Sequence, residues 1–142
     1  MAYWQTNAAE YETDYPYKAV DQACAYNAAR GHINTTGFTK VTGSNVDQMK
    51  AALQQQPLSV SIEADKLVFQ LYKSGVFNNT NCGTSLDHAV LVVGNGVENG
   101  EEYWLVKNSW ASSWGENGYI KMAIVPGDGI CGVQMEPLYP TV

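Results

Sequence analysis

The alternation of apolar and polar positions marks the second half of the chain as sheet. Leu58-Ser59-Val60-Ser61-Ile62 alternates at every residue, the period of a strand with one buried face. Apolar runs at 88–93, 102–108 and 118–124 predict further strands, separated by Asn-Gly and glycine-rich loops. Before Pro57, Val46, Met49 and Leu53 fall at helical spacing and Ser44 with Asp47 resembles a capping box, so a helix is predicted over 45–55. Residues 37–42 read as a strand and 65–74 as a helical turn. Residues 2–12 read as a short helix with no cap before it, and a helix starting on the first residue looks cut. Tyr15-Pro16-Tyr17 turns the chain, and 18–31 read as irregular with one helical turn. The expected class is α+β, with an antiparallel sheet filling the second half.

Composition narrows what such a chain can do. The 142 residues, 45% apolar and 15% charged, suit an ordinary globular core. A net charge of -6 with scattered Lys and Arg excludes a nucleic-acid partner, because phosphate binding needs clustered cations. No apolar stretch approaches the roughly 20 residues of a membrane span. Nor does a basic-then-apolar leader open the chain, so Met1 is not expected to begin a signal peptide. The cysteine count is three, an odd number that in a secreted protein suggests an absent partner or a free thiol. Asn34-Thr35-Thr36 and Asn78-Asn79-Thr80 are glycosylation sequons, which favour the same secretory route.

Chemistry enters at His88, which introduces an apolar strand with Asp87 beside it. Consecutive strand side chains point to opposite faces, so Asp87 is poorly placed to orient His88. Pairing 88–93 with 102–108 about the middle of their loop, near Glu98, sets Asn108 opposite His88. Directly opposed residues share a face with side chains about 5 Å apart, whereas a one-residue slip would separate them. In that register Asn108 accepts a hydrogen bond from one imidazole nitrogen and aims the other at a nucleophile. Trp110 and Trp114, four residues apart in the loop that follows, either cap the open end of the sheet or shield a polar pair from water.

LDHAVLVVG, KNSW, SWGENGYI, QPLSVSI, FQLYKSGVF and the terminal YPTV together resemble the papain/cathepsin L family of cysteine proteases, in one order from Tyr15 to Val142. The resemblance implies a papain-like fold. Residues 1–17 would be a remnant of its helical left domain, and 18–142 its sheet-rich, barrel-like right domain. It implies that His88 is the catalytic base, Asn108 its orienting residue and Trp110 the ring covering their bond. Trp114 would wall the leaving-group subsite, and Ser61, Leu86, Asp87, Ala89 and Glu136 would bind substrate, with Glu136 at the floor of the S2 pocket. A carboxylate there favours a basic P2 side chain. Cys82 and Cys131 resemble the partners of one family disulfide, and Cys24 resembles a family cysteine that makes a disulfide to the absent N-terminal half.

In this family the nucleophile sits in a C-G-[SA]-C-[WY] motif with His and Asn roughly 130–150 residues downstream, which places it about 40 residues before Met1. The oxyanion-hole Gln belongs to that same stretch. The expectation is therefore the His/Asn-bearing part of a cysteine endopeptidase, inactive alone and completed by a separate N-terminal segment carrying the cysteine. The alternative is an inactive truncated or pseudo-protease relative acting as a structural or binding module. Peptide or protein substrates, with a propeptide or protein inhibitor, are the implied partners. No metal or cofactor is implied, and the setting is lysosomal, vacuolar or secreted. Alone, such a chain would expose Trp110 and Trp114.

Overall fold

Strand β2 (Leu58–Ile62) shows how the pattern becomes structure: Leu58, Val60 and Ile62 are buried, while Ser59 and Ser61 lie half-buried on the other face. In the computed structural model, which describes residues 2–142, the chain forms two compact units. Of the described residues, 2–39 with 140–142 make the first unit and 40–139 the second. Met1 lies outside the described residues.

The first unit contains little regular structure. Helix α1 spans only Tyr3–Thr6, not 2–12. No side chain caps its start, and Asn7 is extended, with its backbone and side-chain N–H groups both closing on Tyr3 O. A helix this short without a cap lacks the bonds to propagate. From there the chain bonds back on itself: Ala9 pairs with Ile33, Thr35 N–H donates to Trp4 O, and Asn27 N–H donates to Glu10. These ties join residues on either side of Tyr17 within the first unit. A single 3-10 turn at Ala28–Arg30 interrupts the irregular stretch.

Strand β1 (Gly37–Lys40) leads into the second unit, where α2 runs from Val46 to Leu53. Its cap differs from the expected box: Asn45 Oδ1 accepts from Gln48 N–H, while Ser44 takes φ +56° and its hydroxyl donates to Asp128. The side chain that occupies the cap is thus the one nearest the first turn. Helix α3 (Leu67–Gln70) is a single turn. Within this unit the strands of the sheet run in the order β2-β4-β5-β6-β3, built from β3 (Val76–Phe77), β4 (His88–Glu98), β5 (Glu101–Lys107) and β6 (Tyr119–Ala123), and Ser59 of β2 pairs with Leu138 at the start of β7 (Leu138–Thr141). Its pairs are antiparallel except β3 with β6. The short strands β3 and β7 carry too little alternation to be read from sequence.

The core lies on one face of this sheet. Val60, Ile62, Val92, Trp104, Val106, Ile120 and Met122 meet Met49 of α2 and Phe69 of α3 there. Gln134, fully buried, ties this core to the C-terminal loops: its carbonyl accepts from Trp104 Nε1–H, and its amide donates to Val125 O and Gly127 O. Cys82 and Cys131 form a disulfide.

Candidate active site

The β4–β5 hairpin brings His88 and Asn108 together, though in a register other than the one the sequence suggests. β4 continues through Glu98, and the turn is the two-residue Asn99-Gly100, both with positive φ (52° and 85°). Leu91 pairs with Lys107 and Val92 with Val106; beyond a β-bulge at Val93 the register becomes Gly94 with Leu105, out to Glu98 with Glu101. The pairing near the turn, extended without the bulge, would place His88 and Asn108 on opposite faces. The extra residue restores their common face, as bulges that re-aim side chains do. Asn108, just past β5 with its N–H on Gly118 O, is therefore a diagonal neighbour of His88, not its direct partner.

His88 Nε2 lies 2.8 Å from Asn108 Oδ1. The same oxygen accepts from Ser109 N–H at 2.7 Å, and a backbone N–H can only donate. The amide orientation is fixed by that bond, so Nε2 must carry the imidazole proton and Nδ1 holds the basic lone pair. Asn108 is 8% exposed, and its Nδ2 is buried with no partner among the described residues. The Trp110 ring stacks on His88, centroids 5.1 Å apart and planes 27° off parallel. Water excluded from a hydrogen bond raises its strength, and a stacked ring also restrains the imidazole's tilt.

Both tryptophans are half-buried, contrary to an exposed pair. Trp110 packs edge-on against Phe69 and Trp114, and Trp114 also meets Phe69 and Tyr72. The Trp114 indole N–H donates to Gln70 O at 2.9 Å. Their loop is pinned from below: Glu116 accepts from Gly75 N–H at 2.7 Å and from the Tyr72 hydroxyl at 3.2 Å, and pairs with Lys121 at 3.0 Å. Lys121 pairs also with Glu98 at 2.6 Å. Partial burial pushes the Glu116 carboxyl up, but hydrogen bonds from Lys121, Gly75 and Tyr72 outweigh it and hold the group below its ordinary value. Burial pushes the Tyr72 phenol up to about 12. Hydrogen bonds to Glu98 and Glu116 raise the Lys121 ammonium above its usual range. Sequence reading missed this support; Phe69 and Tyr72 at helical spacing, with Glu116 inside a glycine-rich loop, were its only signals.

The remaining candidates are less closely gathered. Ser61 pairs directly with Ala89 on the outward face of the sheet. Leu86 packs beside Gly132 and Met135, so that a Cβ on Gly132 would strike it. The Asp87 carboxylate accepts from Ala64 N–H at 2.8 Å and does not contact His88. Glu136 is exposed and lines a groove with Lys40, Val41, Gly43 and Met135. Asn34 and Asn78 are exposed, and Asn78 Nδ2 donates to Glu101 at 2.6 Å. Cys24 is an exposed free thiol in the first unit. Among the described residues no cluster of His, Cys, Asp and Glu could hold a metal ion, and no helix is long and apolar enough to cross a membrane.

The model of the papain family cysteine proteases matches residues 1–141, and the chain belongs to that family. It is 50% identical over 132 residues to the probable cysteine protease RD21B of Arabidopsis thaliana, covering 91% of this chain but 28% of that protein. With cysteine proteinase 2 of Entamoeba histolytica it shares 46% identity over 133 residues, 41% of that protein's length. Among solved structures it superposes on the bromelain protease of Ananas comosus with a TM-score of 0.88 and 44% identity, covering 96% of this chain and 64% of that one. The Carica candamarcensis cysteine protease CMS1MS2 gives 0.86 and 35%, covering 99% and 65%. Both neighbours carry the inhibitor E-64. The chain thus spans well under half the length of these curated relatives and about two thirds of each solved protease.

Proposed function

We propose that the chain supplies the base half of a cysteine endopeptidase site. The nucleophilic cysteine and the oxyanion-hole Gln would come from a segment outside these residues. The observation that carries this is the His88–Asn108 bond at 2.8 Å under Trp110, which leaves Nδ1 as the group aimed at a thiol. In this reading the cysteine proton passes to Nδ1, and thiolate and imidazolium form an ion pair. The sulfur bonds to the scissile carbonyl carbon, the C–N bond breaks, and His88 returns its proton to the leaving amine. Water, deprotonated by His88, then hydrolyses the thioester. Cys82 and Cys131 are joined to each other, and Cys24 lacks the nucleophile's motif, so none of the three serves.

The same reading gives Trp114 the wall of the leaving-group subsite, Ser61, Leu86 and Ala89 the P2 side, and Asp87 a further contact to substrate. Glu136 would favour a basic P2 side chain, with Lys40 in its groove reducing that preference. Cys24 would bridge to the cysteine-bearing segment. The internal disulfide and the exposed sequons support a lysosomal, vacuolar or secreted setting.

The test uses the assembled protease, this chain with its cysteine-bearing segment. His88→Ala should lower thiol-dependent peptide hydrolysis by roughly 10²–10⁴-fold. Hydrolysis that survives the substitution would overturn the assignment. A wild-type assembly that E-64 does not label would instead favour a non-enzymatic binding module.

A further inference from the structure

Between the disulfide at Cys82 and the base at His88 lie five residues with no regular structure of their own. They carry Leu86 and Asp87, so their placement decides where both the P2 side and the imidazole begin. Several ties hold them, among them the Asp87 carboxylate accepting from Ala64 N–H and Gly83 N–H donating to Thr80 O. Cys82 is bonded to Cys131, Asp87 N–H donates to Ile62 O at 2.9 Å, and between these the loop closes on Glu63. Glu63 is 5% exposed, an unusual place for a carboxylate. It accepts from Ser85 N–H at 2.5 Å and pairs with Lys66 Nζ at 2.9 Å. Its own N–H donates to Cys131 O at 2.9 Å, so one residue grips both the disulfide segment and the loop. Gly83, at φ +75°, lies against the same carboxylate, and a Cβ there would fall onto it.

We propose that Glu63 is a positioning residue: its carboxylate, reaching Ser85 and Gly83, sets the path of residues 83–87 and with it Leu86 and His88. This rests on the protease reading above. Glu63 touches neither His88 nor Asn108, and it acts through the loop backbone. A salt bridge to Lys66 alone could be made at the surface. What the buried position adds is an acceptor at fixed reach for Ser85. Catalytic geometry is sensitive to such support, since misplacement by about 1 Å can cost up to 10²-fold.

Two conservative variants separate reach from charge in the assembled protease. Glu63→Gln keeps the length and an acceptor oxygen but loses the charge. Glu63→Asp keeps the charge and falls one methylene short of Ser85. The readouts are kcat and KM for two peptides differing only at P2, with amide exchange at Ser85. Positioning predicts that Glu63→Gln keeps the ratio of the two kcat/KM values within about twofold. Glu63→Asp should change that ratio by roughly tenfold, lower kcat, and release the Ser85 amide to exchange. The two variants behaving alike, or Glu63→Gln being the worse, would overturn the proposal by making the ion pair with Lys66 the operative contact. An active wild type with an unchanged ratio in Glu63→Asp sinks this inference alone. An inactive wild type sinks the protease reading and this inference with it.

Discussion

Removing the Asn108 side chain tests the site at its most specific contact. Asn108→Ala deprives two donors of one acceptor: His88 Nε2–H at 2.8 Å and Ser109 N–H at 2.7 Å. Ser109 is exposed and its N–H can turn to water, so little is lost there. The imidazole is half-buried beneath Trp110, where water reaches it poorly; a buried donor left unpaired costs about 1–3 kcal/mol. Stacking on Trp110 still restrains the ring's tilt but not its rotation in plane, nor which nitrogen holds the proton. Both the orientation and the tautomer then become mixtures. At about 1.4 kcal/mol per factor of ten, the loss in kcat/KM should be roughly 10- to 100-fold, with unfolding free energy lowered by only about 1–2 kcal/mol. Fluorogenic peptide hydrolysis by the assembled protease, with urea melts alongside, reads both. Trp110→Leu and the double variant complete a cycle, in which a coupling of about 0.5–3 kcal/mol is expected for groups in contact. Kinetics within twofold of wild type for Asn108→Ala, or purely additive effects, would refute the shielded-bond account.

Three other outcomes follow from the structure. Gln134→Leu strands the buried Trp104 indole N–H, while the carbonyls of half-buried Val125 and exposed Gly127 can turn to water, so urea unfolding should show a loss of roughly 2 kcal/mol; a loss below about 0.5 would mean that the indole also finds water. The Cys82–Cys131 bond joins residues 49 apart, which chain entropy values at about 4 kcal/mol. Cys82→Ala/Cys131→Ala should lose much of that, and a neutral effect would show that the unfolded chain is already constrained there. For Glu116, whose folded carboxyl lies below its ordinary 4.5, the stabilisation is present above pH 4.5 and disappears as acid titrates the folded group. Thermal melts should therefore separate wild type from Glu116→Gln at pH 7, and the gap should narrow as the pH falls below 4.5; a gap that does not change with pH would contradict the ion pair.

Periodicity sufficed for β2, whose bounds match the alternating run, and for the existence of α2 and the strands around His88 and Asn108. It did not separate turn from strand where two Asn-Gly pairs compete. Asn99-Gly100 makes the turn, while Gly96 lies within β4, where the Tyr103 hydroxyl crosses the space a Cβ would fill. That close approach is a cross-strand fact, invisible in a window of neighbours. The helix expected over 2–12 stopped at Thr6 for the related reason that nothing capped or supported its length.

The sequence by itself determined which residue types are available: a histidine at the head of one strand, an asparagine at the end of the next, and tryptophans just beyond. These identities and their family pattern are local properties of the chain. Only the tertiary structure decided that His88 and Asn108 meet. The hairpin register is offset from the one their mirror spacing suggests, and a single extra residue at Val93 returns both to one face. Strand pairing is chosen by the summed packing of Val90, Val92, Trp104 and Val106 into the core, and a bulge costs little when that burial is kept. The same holds for Glu63 and Glu116, which look like ordinary acids in sequence. Burial against Gly83 and Ser85 in one case, and Tyr72 and Lys121 in the other, comes from segments that only the folded sheet brings near.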